Sequence, residues 1–125
     1  MTKVLVADDS PSMRQMLAHV LREGGYGVAL AVDGADALRQ LEHEPADVVL
    51  TDCHMPGLDG LALTRALRAD PRWRHLPVLV LTTEVDAGTK QAGRAAGATG
   101  WLAKPFDPSS LLAVIGQVSA MGEPR

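Results

Sequence analysis

Residues 4 to 11 read Val-Leu-Val-Ala-Asp-Asp-Ser-Pro and set the pattern for the whole chain. The four apolar residues form a short continuous run, which is typical of a strand buried on both faces of a parallel sheet. Ser10 is of a type favoured at a helix N-cap, and Pro11 then takes the first helical position. The segment therefore predicts a buried strand, an acidic turn and the start of a helix.

The same unit recurs along the sequence. The later predicted strands are Gly27 to Val32, Asp47 to Asp52, Pro77 to Thr82, and Gly100 to Ala103. In the first predicted helix we expect one buried stripe of residues at helical spacing, namely Met13, Met16, Leu17, Val20 and Leu21. The weakest helix prediction covers Asp86 to Ala96, where the apolar residues are mostly alanine and Gly88 and Gly93 lower the helix propensity. Five strands alternating with five helices predict an α/β fold with an open, parallel, doubly wound sheet and right-handed crossovers.

Length, charge and cysteine content limit the class of protein. A chain of 125 residues fits one domain, which we expect to cover residues 1–121 and to leave a short tail at residues 122–125. The net charge of −3 gives no reason to expect nucleic-acid binding, which normally needs a basic patch. No apolar run approaches the roughly 20 residues of a membrane span, and the N-terminus lacks a signal-peptide pattern. Cys53 is the single cysteine, which excludes an intrachain disulfide and favours a cytoplasmic location.

The chemically active residue types collect where the predicted strands end. Ligands of an open α/β sheet bind outside the carboxyl ends of its strands. Asp8 and Asp9 follow the first strand, Asp52 ends the third, Thr82 ends the fourth, and Lys104 follows the fifth. We therefore expect three carboxylates, a hydroxyl and an ammonium group to converge on one rim of the sheet.

Three carboxylates in one pocket favour the binding of a cation. At a separation of about 5 Å and an effective dielectric constant of about 20, each pair repels by roughly 3 kcal/mol. An all-oxygen anionic pocket suits a hard divalent ion, and Mg²⁺ is preferred where a phosphate completes its coordination. Such an ion would allow a carboxylate to attack a phosphoryl group, while Lys104 pairs with the phosphoryl oxygens and Thr82 donates a hydrogen bond to them. These residue types fit the formation of an acyl phosphate.

Four blocks of this sequence resemble the signature blocks of response-regulator receiver domains, the phosphorylation switches of two-component signalling. They stand in the family's order and approximate spacing, and they are Ala7-Asp8-Asp9-Ser10, Thr51 to Gly60, Leu81-Thr82-Thr83-Glu84 and Lys104-Pro105-Phe106. Within that family, the sequence is similar to the single-domain receivers of the chemotaxis type. The resemblance implies a flavodoxin-like (βα)5 fold with a five-stranded parallel sheet in the order 2-1-3-4-5.

The resemblance also implies a phosphorylation and metal site. Asp52 corresponds to the phosphoacceptor. Asp8 and Asp9 correspond to the acidic pair that holds Mg²⁺, together with Asp52 itself and the backbone carbonyl of His54. Lys104 corresponds to the lysine that pairs with the phosphoryl group.

Four further positions correspond to residues of the family's switch. Thr82 matches the hydroxyl that swings towards the phosphoryl group, and Trp101 matches an aromatic residue that turns inward on activation. Pro105 matches a proline that usually follows a cis peptide bond. Two positions depart from the commonest pattern: Thr83 replaces the usual alanine or glycine, and Trp101 is bulkier than the usual tyrosine or phenylalanine.

The implied function is a phosphorylation-dependent signalling switch. A histidine kinase or histidine phosphotransfer protein would donate the phosphoryl group, and the surface of the fourth helix, fifth strand and fifth helix would then control a downstream target protein. The domain would catalyse only its own phosphorylation and dephosphorylation, so it would not be a conventional enzyme. A stand-alone receiver is favoured over the excised receiver of a hybrid kinase or transcription regulator. Both a monomer and a phosphorylation-linked dimer fit the sequence.

A small-molecule binding module or a hydrolase on the same fold is the alternative hypothesis. A flavin carrier needs a phosphate-binding loop after the first strand, where Asp8 and Asp9 would repel phosphate. The nucleotide-binding patterns G-x-G-x-x-G and G-x-x-x-x-G-K-[ST] do not occur. Aspartate-nucleophile phosphatases are the closest rival, but their D-x-D signature is absent from the first strand. Cys53 and His54 lack the ligand spacing of a zinc site, and taken alone the two aspartates could merely cap the first helix.

Overall fold

The computed structural model describes residues 1–83 and 87–121 of the chain. In chain order, its elements are β1 (Lys3–Ala7), α1 (Pro11–Glu23), β2 (Gly27–Ala31), α2 (Gly34–His43), β3 (Val48–Asp52), α3 (Gly60–Ala69), β4 (Val78–Thr82), α4 (Ala87–Ala96), β5 (Gly100–Ala103) and α5 (Pro108–Met121). Every strand begins and ends within one residue of its predicted bounds. Asp86 of the predicted fourth helix lies outside the described residues, as do Glu84 and residues 122–125. Among the described helices, none has the length and apolar content that crossing a membrane requires.

The sheet has five parallel strands in the order β2-β1-β3-β4-β5, which confirms the flavodoxin-like topology implied by the sequence. The strand order reverses at β1, which pairs with β2 on one side and with β3 on the other. Open sheets of this kind bind ligands in the crevice at such a reversal. Ala7 pairs with Thr51, so Asp8 and Asp52 come next along two adjacent strands at the same edge of the sheet.

Helices cover both faces of the sheet and enclose two hydrophobic clusters. On one face, Leu17 of α1 and Ile115 of α5 belong to a cluster with Val6 of β1. On the other face, Leu63 of α3 belongs to a second cluster with Leu5 of β1. Because successive strand residues point to opposite faces, β1 contributes to both clusters. This two-sided burial explains why the strand is a continuous apolar run.

The buried stripe of α1 differs from its prediction at one residue. Met16 is 53% exposed, whereas Leu17, Ala18 and Leu21 are buried and Met13 packs half-buried against the core. Successive helix residues are about 100° apart around the axis, so Met16 and Ala18 flank Leu17 on opposite sides. The helix is turned so that Ala18 faces the sheet and Met16 faces solvent. The prediction that Met16 belongs to the core is therefore wrong.

Polar contacts fix the helix starts and the loops between them. Ser10 caps α1, where its Oγ accepts a hydrogen bond from the backbone N–H of Met13 at 3.3 Å, as the sequence predicts. An ion-paired group, which we call the Arg72 cluster, joins the end of α2 to the loop after α3. In the Arg72 cluster, the Arg72 guanidinium lies 2.6 Å from Glu42 and 2.7 Å from Asp70.

Candidate functional site

The carboxyl ends of β1 and β3 bring three carboxylates together. One oxygen from each of Asp8, Asp9 and Asp52 lies within 4.8 Å of the other two. Asp8 and Asp52 are buried, whereas Asp9 is exposed at the rim. Among the described residues, this is the one group of at least three His, Cys, Asp or Glu side chains that could hold a metal ion. The convergence of the three carboxylates, which is one part of the prediction from the strand ends, is therefore present in the structure.

Lys104 follows β5, the edge strand opposite β2, and its side chain brings a positive charge to these carboxylates. Its Nζ lies 2.8 Å from Asp52 Oδ1 and 3.9 Å from Asp8 Oδ2. The Lys104 backbone N–H donates to the Thr82 carbonyl at 2.8 Å, which continues the pairing of β4 with β5 past the end of β5. The peptide bond from Lys104 to Pro105 is cis, as the resemblance implies. One ammonium group thus faces two of the three carboxylates.

The two oxygens of Asp8 have different surroundings. Oδ1 accepts a hydrogen bond from the Ser10 backbone N–H at 2.9 Å. Within the described part of the chain, Oδ2 is buried without a hydrogen-bond partner, and the ammonium of Lys104 at 3.9 Å is too distant to donate to it. Burial raises the pKa of Asp8, against the Ser10 N–H that lowers it, and the neighbouring charge of Asp52 raises it further. A cation bound at Oδ2 would supply the positive charge that would balance this buried carboxylate oxygen.

Close backbone packing fixes the position of Asp52. The backbone N–H of Cys53 donates to Leu81 of β4 at 3.0 Å, and the N–H of Gly60 donates to the Cys53 carbonyl at 3.1 Å. A Cβ atom at Gly60 would overlap the Asp52 carbonyl oxygen, so α3 begins in contact with the backbone of the site. The sequence pattern did not reveal this role for Gly60, because a glycine after an N-cap aspartate is also an ordinary helix start.

Arg14 is a second residue that the sequence analysis missed. Its Nη1 donates to the backbone carbonyl of Asp8 at 2.6 Å, from the first turn of α1. The contact fixes the turn that carries the two aspartates. Its signal in the sequence is weak, since an arginine in the first turn of a helix is usually solvated.

The remaining predicted site residues lie on β4 and β5 or shortly after the ends of β3 and β4. Thr82 is buried at the end of β4, whereas Thr83 and His54 are exposed. Trp101 is half-buried on β5 and pairs with Val80, two residues before Thr82. Side chains two residues apart on a strand share a face, so Thr82 and Trp101 lie on the same face of the sheet.

The other histidines and the cysteine lie apart from any metal cluster in the described residues. His19, His43 and His75 are exposed, and Cys53 is buried. In the part of the chain that the structure describes, the side chains of Cys53 and His54 belong to no group of three or more potential metal ligands. The geometry therefore gives no support to the zinc alternative.

The fold, the three carboxylates and the opposed lysine together define a receiver-type signalling domain. Residues 4–116 match the family model described as the response regulator receiver domain, and the chain belongs to that family. It is a regulatory family of two-component signalling and not a class of conventional enzymes.

Proteins of known name resemble this chain over most of their length. The chain is 41% identical over 105 residues to the chemotaxis protein CheY of Pseudomonas aeruginosa, covering 83% of this chain and 85% of that protein. It is 38% identical over 120 residues to the protein PilH of the same organism, covering 96% and 99% of the two chains.

Solved structures show the same fold. The chemotaxis response regulator CheY4 of Vibrio cholerae superposes with a TM-score of 0.89 at 44% identity, covering 94% of this chain and 98% of that one. The receiver domain of a Pseudomonas aeruginosa sensor histidine kinase superposes with a TM-score of 0.88 at 33% identity, covering 95% and 98% of the two chains. That structure has a magnesium ion coordinated in its active site cleft.

Proposed function

We propose that this chain is a phosphorylation-dependent switch whose phosphoacceptor is Asp52. The observation that carries the proposal is the placement of Asp52, which lies 2.8 Å from the ammonium of Lys104 and beside the buried carboxylate of Asp8, whose Oδ2 has no hydrogen-bond partner among the described residues. Lys104 can therefore neutralise part of the charge of a phosphoryl group on Asp52, and the carboxylate of Asp8 can bind a cation next to it. The donor would be a histidine kinase or a histidine phosphotransfer protein.

The residues at the site fit Mg²⁺. The donor set is all oxygen, consisting of the carboxylates of Asp8, Asp9 and Asp52 and, by the resemblance, the backbone carbonyl of His54. Hard oxygen ligands and an open side towards solvent are the usual setting for Mg²⁺ that also meets a phosphate. When bound, Mg²⁺ supplies positive charge that shields the phosphoryl oxygens from the carboxylates.

The protein's own groups then perform the transfer. An oxygen of Asp52 attacks the phosphorus atom, and the bond from phosphorus to the donor's imidazole nitrogen breaks, so the imidazole leaves with the electron pair. Lys104 exchanges its contact with the Asp52 carboxylate for one with the phosphoryl oxygens, where it acts as a point charge. The Thr82 hydroxyl, on the neighbouring strand end, donates a hydrogen bond to another phosphoryl oxygen. The same pocket later admits the water that hydrolyses the acyl phosphate.

Phosphorylation would alter the surface that a partner contacts. The phosphoryl group adds about −1.5 to −2 units of charge and new hydrogen-bond acceptors. Thr82 and Lys104 are drawn towards it, and Trp101, on the same face as Thr82, takes the space that Thr82 leaves. The surface of α4, β5 and α5 changes with them and controls a downstream target by protein contact.

Mass spectrometry after reaction with acetyl phosphate tests the proposal. The intact protein should gain one phosphoryl group when Mg²⁺ is present and none when the ion is chelated. Asp52→Asn should abolish the adduct. Asp47→Asn is the matched control, because Asp47 is an exposed aspartate at the other end of β3, where it accepts a hydrogen bond from the Lys3 N–H at 2.7 Å. An adduct of equal yield on Asp52→Asn would refute the assignment.

A phosphatase assay separates the switch from the hydrolase alternative. We expect no turnover of a generic phosphate ester beyond the background rate, because the proposed chemistry ends on the protein's own carboxylate. Catalytic turnover that Asp52→Asn removes would instead favour an aspartate-nucleophile phosphatase.

A further inference from the structure

The indole ring of Trp101 lies directly against the backbone of Gly93 in α4. A Cβ atom at Gly93 would be 2.6 Å from Cζ3 and 3.0 Å from Cε3 of the ring. Contacts this short do not occur between real side chains, so the ring fills the space that any other residue at position 93 would need. Glycine disfavours the interior of a helix. Its presence in α4 therefore has a packing reason, and we call this contact the Gly93 seat.

The part of α4 that carries the Gly93 seat is fixed in place. The Gly93 carbonyl accepts hydrogen bonds from the N–H of Gly97 at 3.1 Å and of Ala98 at 3.0 Å, which close the end of the helix. Arg68 of α3 holds the same end, since its Nε donates to the Gly97 carbonyl at 2.8 Å. Gly97 itself has a positive φ of 99° that suits such a helix ending. If an added side chain at position 93 takes this space, we therefore expect the Trp101 ring to move before the end of α4 does, because these hydrogen bonds hold that end of the helix.

We infer that Gly93 is a positioning residue that holds Trp101 against α4 and thereby sets the balance between the resting and activated states of the switch. The first half of this inference stands on the contact alone. The second half rests on the proposed function, in which Trp101 turns inward on activation. A residue that stabilises the α4-facing ring opposes that turn, so losing the seat favours activation.

Gly93→Ala tests the inference directly. The added Cβ expels the ring from the seat, which destabilises the resting state relative to the activated one. Because effects on two linked equilibria are reciprocal, the variant should then bind the phosphoryl mimic beryllofluoride more tightly in the presence of Mg²⁺. We expect the half-saturating beryllofluoride concentration to fall by at least about fivefold, the lower end of usual coupling between sites.

Tryptophan emission reports both events when Trp101 is the single tryptophan. The chain has two tryptophans, so all variants are made in a Trp73→Phe background. Gly93→Ala should change the emission maximum of Trp101 before any beryllofluoride is added. Gly116→Ala is the matched control, because Gly116 lies in the interior of α5, where an added Cβ would meet only the Tyr26 hydroxyl oxygen at an ordinary 3.5 Å. The control should change neither the emission nor the half-saturating concentration.

Thermal unfolding distinguishes a steric seat from a general effect on the helix. With Trp101 present, Gly93→Ala should lower the melting temperature or leave it unchanged. In a Trp101→Ala background, the same substitution should raise it, because alanine is the better helix former and the ring is gone. If the substitution raises the melting temperature equally in both backgrounds, no seat exists.

The outcomes separate this inference from the proposed function. If the parent protein responds to beryllofluoride while Gly93→Ala has the same affinity, a weaker one, or the same emission, the inference about Gly93 is overturned. If the parent does not respond and acetyl phosphate gives no adduct, the proposed function fails, and the role of Gly93 in activation falls with it. The unfolding experiment still decides whether Gly93 seats the ring.

Discussion

Asp8→Asn should stabilise the protein when divalent ions are absent and should remove its stabilisation by Mg²⁺. The substitution keeps the shape of the side chain and deletes its negative charge. Asp8 is the most informative of the three aspartates because its side chain is buried and one of its oxygens lacks a hydrogen-bond partner among the described residues. The substitution therefore tests whether the negative charge of Asp8 lowers the folding stability of the ion-free protein.

The size of the effect follows from the distances at the site. With the three carboxylates within 4.8 Å of each other, each repulsion of Asp8 costs about 3 kcal/mol at an effective dielectric constant of about 20. The ammonium of Lys104 at 3.9 Å offsets about 4 kcal/mol of this cost. Asp9 is exposed, so its share is reduced by solvent, and the Ser10 N–H bond favours the ionised form by about 1.5–3 kcal/mol. These charge terms nearly cancel, so the relief from burying an ionised carboxylate decides the sign, and we expect a net gain of about 1–2 kcal/mol for the variant at neutral pH.

Thermal unfolding in EDTA and in Mg²⁺ measures both halves of the prediction. In EDTA, the melting temperature of Asp8→Asn should exceed that of the wild type by about 4–8 °C for a chain of this size. Mg²⁺ at about 100 times its dissociation constant should stabilise the wild type by about 2.7 kcal/mol and the variant by far less. The ranking of the two proteins should therefore reverse when Mg²⁺ is added.

The pH dependence of the difference follows from the direction of the pKa shift. The pKa of Asp8 is raised in the folded state, chiefly by burial. A raised pKa means that the wild type loses stability as the pH rises through the folded pKa. The advantage of Asp8→Asn in EDTA should thus be complete above the folded pKa and shrink as the pH falls through it towards 3.8.

A control at the start of α5 shows whether the charge of Asp8 itself is responsible. Asp107 is an exposed capping residue, and hydrogen bonds from Ser109 and Ser110 lower its pKa. Asp107→Asn should not raise the melting temperature and should leave the Mg²⁺ response unchanged. If Asp8→Asn is less stable than the wild type in EDTA, or if Mg²⁺ still stabilises it fully, the charge of Asp8 neither destabilises the ion-free site nor holds the ion.

Three further substitutions test the packing and the surface charges. Gly60→Ala should cost about 1–3 kcal/mol in urea unfolding and slow the reaction of acetyl phosphate, because its Cβ would overlap the Asp52 carbonyl oxygen; an unchanged unfolding midpoint would contradict this contact. Arg72→Gln should lower stability above pH 5 but not at pH 2, because Arg72 lowers the pKa of its two carboxylate partners below their usual values of 3.8 and 4.5; a pH-independent difference would rule this out. Met16→Gln should change stability by no more than about 0.5 kcal/mol, whereas Leu17→Ala should cost about 2–5 kcal/mol; similar losses for both would return Met16 to the core.

The sequence predicted the fold and the site for one physical reason. A strand buried on both faces, such as β1, contains a continuous apolar run, so a charged residue such as Asp8 is expected where that run ends. Lys104 likewise follows the last residue of β5. Parallel strands place these ends at one edge of the sheet. The meeting of Lys104 with Asp52, 52 positions apart in the chain, was therefore predictable without any knowledge of side-chain positions.

Side-chain packing was less predictable because a pattern does not fix how an element is rotated or how closely it approaches its neighbour. The spacing of Met16 fits the apolar stripe of α1, but the helix buries Ala18 instead. Gly93 counted only as a weakness of α4 in the sequence, whereas the structure places an indole ring against it. In both cases, a small residue allows a close contact, and only the three-dimensional arrangement reveals its partner.

The candidate site departs from the rules that govern the rest of the domain, and the departure supports a switch. Elsewhere, the buried residues of the described strands are apolar apart from Thr51, and side-chain caps hold the starts of α1, α2 and α3. At the site, two buried carboxylates, Asp8 and Asp52, face each other with a single ammonium group between them. Without a bound ion, the ammonium of Lys104 therefore balances these carboxylates alone, although their negative charges favour further positive charge. Under the proposed function, binding of Mg²⁺ or transfer of a phosphoryl group would redistribute Lys104 among its partners, and that change would alter the free energies of the states of α4 and Trp101. A site with fully balanced charges would make the protein more stable. It would, however, gain little free energy from binding an ion or a phosphoryl group, and so could shift the equilibrium between the resting and activated states only slightly.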